Sequence, residues 1–342
     1  MLYTIFCILP CMTCLLWLVI FLLGYRQHDS AKRQLTLFVA VCTVLYGCHA
    51  AFFSGVESRW LEGIWVLCSM NVYPLYYLYI CRLTCSPIRP VTKVCIALGS
   101  VVALWYAFSP SVVSSWARQI VFAVQVVTVV YFGWRRLHRF DEQLHETYAD
   151  MENKSTSHVR VLLAFFLIIS LCSAVVNVLG RELFVGGLIA IPSLLFSVML
   201  FAICYIGYLR QFSSEQFCRD IQTDMVVDGG KENYPEELPT QLKKLMEEKR
   251  LYLQYDLKIV DVARELGVCR TYISACINQT AKCSFSEYIN RMRIDYASAL
   301  MRQHPEKKMV EIAEASGYQN EQSFYRNFRK YTGSTPNKNI SR

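Results

Sequence analysis

Seven apolar runs fill the first two hundred residues and limit what this chain can fold into. They are Leu2–Leu23, Leu35–Phe53, Leu61–Cys81, Val91–Phe108, Trp116–Trp134, Val161–Leu179 and Val185–Leu209. Each approaches the roughly 20 residues that a helix needs to cross a bilayer. Backbone groups in hydrocarbon find no water, so such segments must satisfy their own hydrogen bonds as helices. The fourth run is short and has Lys93 near its start, which makes it the weakest of the seven. The first run has no positive charge before it and no small-residue cleavage site behind it. It therefore reads as a retained span and not as a leader. The chain has 342 residues, room for a second domain after the spans.

Lys and Arg collect on alternate sides of these spans. One set of loops holds Arg26, Lys32, Arg33, Arg82, Arg89, Lys93, Arg135, Arg136, Arg139, Lys154 and Arg160. The other set holds mainly Arg59, Arg118 and Arg181. The basic side faces the cytoplasm. Seven spans with the amino terminus outside then place everything after Arg210 in the cytoplasm. This is the topology of a multi-pass membrane protein with a cytoplasmic carboxy-terminal domain.

Four polar side chains lie at membrane depth: His49, Asn71, Gln125 and Asn177. Polar groups in a bilayer face the bundle interior. They either line a ligand pocket or hold helices together by hydrogen bonds. Aromatic residues crowd Asn71–Tyr79, as expected of an interfacial belt. Most of the 15 cysteines sit in apolar runs, where they act as small hydrophobes. Cys11 and Cys14 form a C-x-x-C inside a span, without the strand and helix of a redox motif. No string for a zinc protease, a nucleophile elbow or a P-loop occurs in this half. The chain is therefore not expected to be an enzyme, and no metal or cofactor is called for.

The chain changes character after the last run. Breaks at Asp228-Gly229-Gly230 and at Pro235 and Pro239 predict a flexible linker over about Ser213–Pro239. Gln241–Leu253 then reads as a helix that packs on the domain behind it or serves as a coupling or dimer helix. From Thr240 onward there are 18 Lys and Arg against 11 Asp and Glu, a net +7 out of +8 for the whole chain. A basic, compact segment is the electrostatic footprint of a nucleic-acid binder.

A pattern then occurs twice, fifty residues apart. Ile259, Val262, Ala263 and Leu266 fall at helical spacing, and Gly267 supplies a sharp turn. A second helix over Arg270–Gln279 turns Ile273 and Ile277 inward. Its outer face carries Arg270, Thr271, Ser274 and Asn278. This is the profile of a helix that reads the major groove. Ser284–Glu287 forms a capping box for a long connecting helix, with Tyr288, Met292, Tyr296 and Leu300 expected as its buried stripe. The second copy runs Ile312-Ala313-Glu314-Ala315-Ser316-Gly317-Tyr318. Its reader helix starts near Asn320, buries Phe324 and Phe328, and leaves Gln322 and Arg326 outward.

Val262–Pro336 resembles the DNA-binding domain of the AraC/XylS family of bacterial transcription regulators. The resemblance rests on Ala263–Gly267, Phe285–Arg293, Ile312–Tyr318, Ser323–Lys330 and Gly333–Pro336. It implies two helix-turn-helix units joined by one long helix and set into successive major-groove turns. Lys282 departs from the glycine usual there, and Cys269 from the usual N-cap residue. The membrane half is unlike the soluble sugar-binding domain of the best-known members and looks like the membrane-embedded ones.

The expected fold is all-α. Residues 1–210 form a membrane sensor or anchor, 211–239 a linker, and 240–342 the DNA-binding domain. Arg270, Thr271, Ser274, Asn278, Asn320, Gln322 and Arg326 are the expected base or phosphate contacts. Lys282, Arg329 and Lys330 are expected on phosphate, where they set affinity without reading sequence. The partners this reading calls for are double-stranded promoter DNA, the bilayer and a small-molecule signal, with a homodimer open and RNA polymerase added by resemblance. The rival readings are a membrane receptor or carrier whose tail binds a protein, and a regulator cut free near the linker.

Overall fold

A computed structural model describes residues 2–56, 58–88, 90–151, 154–179, 190–209, 214–222 and 235–336. The described residues form helices, with no strand beyond one isolated bridge between Tyr148 and Lys258. The chain divides into two units. Unit 1 comprises Met1–Phe140 and Thr156–Cys218, and unit 2 comprises Asp141–Ser155 and Arg219–Arg342.

Unit 1 contains α1 (Leu2–Leu23), α2 (Ser30–Phe53), α3 (Arg59–Leu83), α4 (Pro90–Phe108), most of α5 (Val112–Thr147), α6 (Ser157–Leu179) and α7 (Ala190–Leu209). Over their described residues α2, α3 and α5 are long and apolar enough to cross a membrane. The apolar stretches in α1, α4, α6 and α7 are shorter. Asp29 caps α2 by accepting from the Lys32 amide at 2.8 Å.

Both surfaces of this unit are apolar. Inside, the Tyr76 ring stacks on Phe166 at 4.8 Å, and Phe38 meets Tyr76 at 5.4 Å. Outside, Val94, Leu98, Val101 and Trp105 are exposed along α4, and Ile120, Val124, Val127, Tyr131 and Trp134 along α5. In water such patches would be costly, and against lipid they are the expected exterior.

Two expectations are corrected here. Tyr73, Tyr76, Tyr77 and Tyr79 are not an interfacial belt but are buried among helices. The Tyr73 ring pairs with Phe122 and Phe166, Tyr76 with Phe166 and Tyr79 with Tyr76, and such ring contacts add to area burial. Part of the expected flexible linker is helical: α8 spans Ser214–Gln222. Phe217 anchors it by packing edge-on against Phe140 at 4.9 Å. A disulfide joins Cys218 on α8 to Cys85 in the turn after α3.

Unit 2 contains α9 (Leu238–Lys249), α10 (Ile259–Leu266), α11 (Arg270–Thr280), α12 (Phe285–Gln303), α13 (Met309–Ala315) and α14 (Glu321–Thr332). It has two cores. Leu238, Leu242, Leu245 and Met246 of α9 pack with Ile259, Val262, Ile273, Ile277, Phe285 and Ile289 in the first. Helix α9 thus packs on the first helix-turn-helix unit. The second core joins Ile294, Ala297 and Met301 of α12 to Ile312, Ala313, Tyr318, Phe324 and Phe328.

Helix α12 serves both cores, and this alters its expected stripe. Tyr288, Met292 and Tyr296 are only half-buried, whereas Phe285, Ile289, Arg293, Ala297 and Leu300 form the buried line. A helix with packing partners on two sides needs a wider buried face than one stripe supplies. The capping box forms as expected, with Ser284 and Glu287 as reciprocal partners.

Candidate nucleic-acid interface

The two helix-turn-helix units repeat their backbone chemistry at an interval of fifty residues. Gly267 follows α10 with φ +64°, and the Val268 amide donates to the Ala263 carbonyl at 3.0 Å. Gly317 follows α13 with φ +83°, and the Tyr318 amide donates to the Ala313 carbonyl at 3.0 Å. Glycine takes this left-handed turn without steric cost, and the paired bond closes the helix end.

The second helix of each unit buries one side and presents the other. On α11, Ile273, Cys276 and Ile277 are buried, while Thr271 and Asn278 are exposed and Arg270 and Ser274 half-buried. The Asn278 amide donates to Ser274 Oγ at 3.4 Å, and the Thr271 hydroxyl to Cys269 Sγ at 3.1 Å. Cys269 stands at the N-cap and makes no side-chain capping bond. A thiol is a poor acceptor there, so the first amides of α11 lack the usual cap.

On α14, Phe324 and Phe328 are buried, and Gln322, Arg326, Arg329 and Lys330 are exposed. Asn320 is the N-cap, and its Oδ1 accepts from the Ser323 amide at 2.9 Å. Arg326 donates to Ser323 Oγ at 3.0 Å, and Lys330 donates to Glu287 Oε1 at 3.0 Å. The Lys330 bond holds the Glu287 carboxyl below the usual carboxylate range.

Lys282 lies just after α11 at φ +50°. A side chain in this left-handed region is strained by about 1 kcal/mol relative to glycine. Lys282→Gly is therefore expected to stabilise the first unit by about that amount, read by hydrogen exchange across α11. If Lys282 also meets a phosphate, the same substitution lowers the salt dependence of DNA binding by about one unit of slope. Opposite signs on stability and binding would separate the two roles.

Of the polar residues expected at membrane depth, His49, Asn71 and Gln125 each make a hydrogen bond within unit 1. His49 Nε2 accepts from the Trp65 indole at 2.9 Å. Asn71 donates to the Leu67 carbonyl at 2.8 Å and accepts from Ser100 Oγ at 3.2 Å. Gln125 donates to the Cys95 carbonyl at 2.9 Å and borders a cavity of ≈ 70 Å³ with Tyr77, Thr92 and Thr128. Asn177 lies on α6, with its side chain outside the described residues.

A family profile described as a helix-turn-helix domain matches residues 262–341. The Msm operon regulatory protein of Streptococcus mutans is 27% identical over 92 residues, which is 26% of this chain and 33% of that protein. The melibiose operon regulatory protein of Escherichia coli is 30% identical over 80 residues, 23% of this chain and 26% of that protein. The profile match covers α11 to α14 and most of α10, with their duplicated turn and connecting helix. The carboxy-terminal part of this chain is an AraC-type helix-turn-helix domain. A putative HTH-type transcriptional regulator of Escherichia coli, YkgA, is 30% identical over 95 residues, 28% of this chain and 39% of that protein. These relatives are regulators of transcription, a non-enzymatic class. The chain spans about a quarter to two fifths of their length. No solved structure gives a significant match.

Within the AraC-type domain, three structural residues escape the sequence pattern. Arg293 is fully buried on α12. Ser286 and Asn290 are buried one turn apart on the same helix, with their side chains turned to a backbone carbonyl. The available signal was a small polar pair at i and i+4 beside the apolar line.

Proposed function

We propose that this chain is a membrane-bound, sequence-specific DNA-binding regulator that couples a signal at its apolar half to promoter occupancy. The observation that carries this reading is the pairing of apolar, outward-facing helices with an AraC-type domain whose two reader helices each present a polar stripe. Thr271, Ser274 and Asn278 lie along one face of α11. Gln322, Arg326 and Arg329 lie along one face of α14. Stripes at this spacing suit base edges and phosphates in successive major-groove turns.

In this reading residues 1–210 anchor and sense, 211–239 connect, and 240–342 bind DNA. The amino terminus lies outside the bacterial inner membrane and the domain inside. Activation through RNA polymerase is the output that the family resemblance favours.

The test is crosslinking in cells that carry a carboxy-terminally tagged chain, followed by membrane isolation and sequencing of the DNA held by the full-length band. Discrete enriched promoters are the expected result. Enrichment only on a shorter soluble fragment would replace regulation from the membrane with proteolytic release. Enrichment in neither fraction would move the tail to a protein partner.

A further inference from the structure

The outer face of α11 is engaged by another part of this chain. Asp141–Ser155, the end of α5 and the turn behind it, belongs to unit 2 with the AraC-type domain. Ser274 Oγ donates to Glu146 Oε2 at 2.8 Å. Ala149 is fully buried in the first core, where its amide donates to the Leu257 carbonyl at 3.0 Å. Its carbonyl accepts from Ser286 Oγ and Asn290 Nδ2, both at 2.9 Å.

Charged groups frame this contact. Tyr148 donates to Asp220 Oδ2 at 2.6 Å, and Lys258 meets the same oxygen at 3.0 Å. Lys154 pairs with Asp256 at 3.7 Å. His145 lies within the electrostatic reach of Lys330 and Glu287.

This arrangement conflicts with DNA on the same face. Ser274 sits between Thr271 and Asn278 on the polar stripe of α11. A carboxylate held against it repels phosphate, and its helix occupies the space a groove edge would need. Ser286 and Asn290 point the same way. The Ser286 hydroxyl and the Asn290 Nδ2, both buried on α12, find an acceptor in a carbonyl of this segment, and a buried donor without a partner is costly.

We propose that Asp141–Ser155 is an intramolecular competitor of DNA, docked on the first helix-turn-helix unit and released when α5 moves. This inference rests on the DNA-binding reading above. Glu146 lies in the last turn of α5, so the helix can transmit a displacement directly. Sliding α5 by one residue moves it about 1.5 Å along its axis and turns it by about 100°. Either change removes Glu146 from a 2.8 Å contact. While the segment is docked, the apparent affinity for DNA is the intrinsic affinity multiplied by the undocked fraction of chains, and release raises it.

The test uses the full chain in lipid nanodiscs, a labelled random-sequence duplex and hydrogen exchange. Glu146→Ala keeps a strong helix former and removes the carboxylate. It is expected to raise the apparent duplex affinity about tenfold and to speed exchange across 270–290 without DNA. Glu146→Gln, which keeps an acceptor but no charge, is expected to give a smaller gain. Adding duplex to the wild-type chain should speed exchange across 141–150.

Equal affinities for all three chains, with exchange at 141–150 unmoved by duplex, would overturn the competition. A second result would overturn it differently. If no chain binds duplex while Glu146→Ala still speeds exchange across 270–290, the docking is real and the DNA-binding reading fails, taking the competition with it.

Discussion

Gly317→Ala is expected to unfold the second helix-turn-helix unit, at a cost of about 3 kcal/mol or more. Two effects add at this position. Gly317 has φ +83°, where an L side chain is strained. A Cβ built there would lie 2.7 Å from the Leu253 carbonyl oxygen and 2.9 Å from its carbon. Both neighbours are backbone, so no side-chain rotation can relieve the overlap. Tyr318, Phe324 and Phe328 form the core directly behind this turn and would lose their packing with it. Gly267 is the internal control. It occupies the equivalent turn of the first unit at φ +64°, yet a Cβ there meets nothing within 4 Å. Gly267→Ala should therefore cost only the conformational strain, about 1 kcal/mol. Hydrogen exchange of α13 and α14 in one variant, and of α10 and α11 in the other, reads the local opening free energies. Equal losses at both glycines would sink the argument from close approach.

These two glycines show what a sequence makes legible. The repeat of Ala263 to Val268 in Ala313 to Tyr318 announces two turns, because the helix-breaking residue and the apolar spacing are local. It does not reveal that only one turn lies against the Leu253 carbonyl, since that neighbour comes from 64 positions away. Apolar runs located the first seven helices for the same local reason. The extension of α5 to Thr147 lies in polar sequence, where hydropathy fades. Its signal is the spacing of Leu137, Phe140 and Leu144, each almost fully buried. The role of Glu146 follows from neither pattern. A single carboxylate in a polar stretch reads as solvated, and only tertiary placement puts it against Ser274. Among the expected reader residues, Asn320 shows the same limit. Its position before α14 suits a cap and a DNA contact alike, and its Oδ1 is engaged by the Ser323 amide.

Arg293→Ala is expected to be the most damaging substitution on α12, at about 3–5 kcal/mol. The side chain is 1% exposed, and burial pushes its pKa below the ordinary guanidinium value. What holds a charge there is a set of backbone acceptors. Nε donates to the Tyr252 carbonyl at 2.6 Å, and Nη2 donates to the Gln254 carbonyl, also at 2.6 Å. The guanidinium also lies 5.4 Å from the centre of the Tyr318 ring, within reach of its π face. One side chain thereby ties the 3-10 turn at Leu251–Leu253 to α12 and to the turn of the second unit. Removing it leaves a cavity and takes the arginine donor from the Tyr252 carbonyl and from the Gln254 carbonyl, which keeps the Leu257 amide at 3.3 Å, two penalties of different origin. Arg293→Lys separates them. Lysine fills part of the volume and keeps the charge, but a single ammonium cannot reproduce the planar fork that reaches two carbonyls. It should recover less than half of the loss. Arg293→Met fills comparable space with no donor and should stay close to alanine if the hydrogen bonds dominate. Exchange rates across 251–257 and 312–328 in the full chain measure both ends of the tie. Recovery by Met to near wild-type protection would show that volume, and not the carbonyl bonds, explains the burial of Arg293.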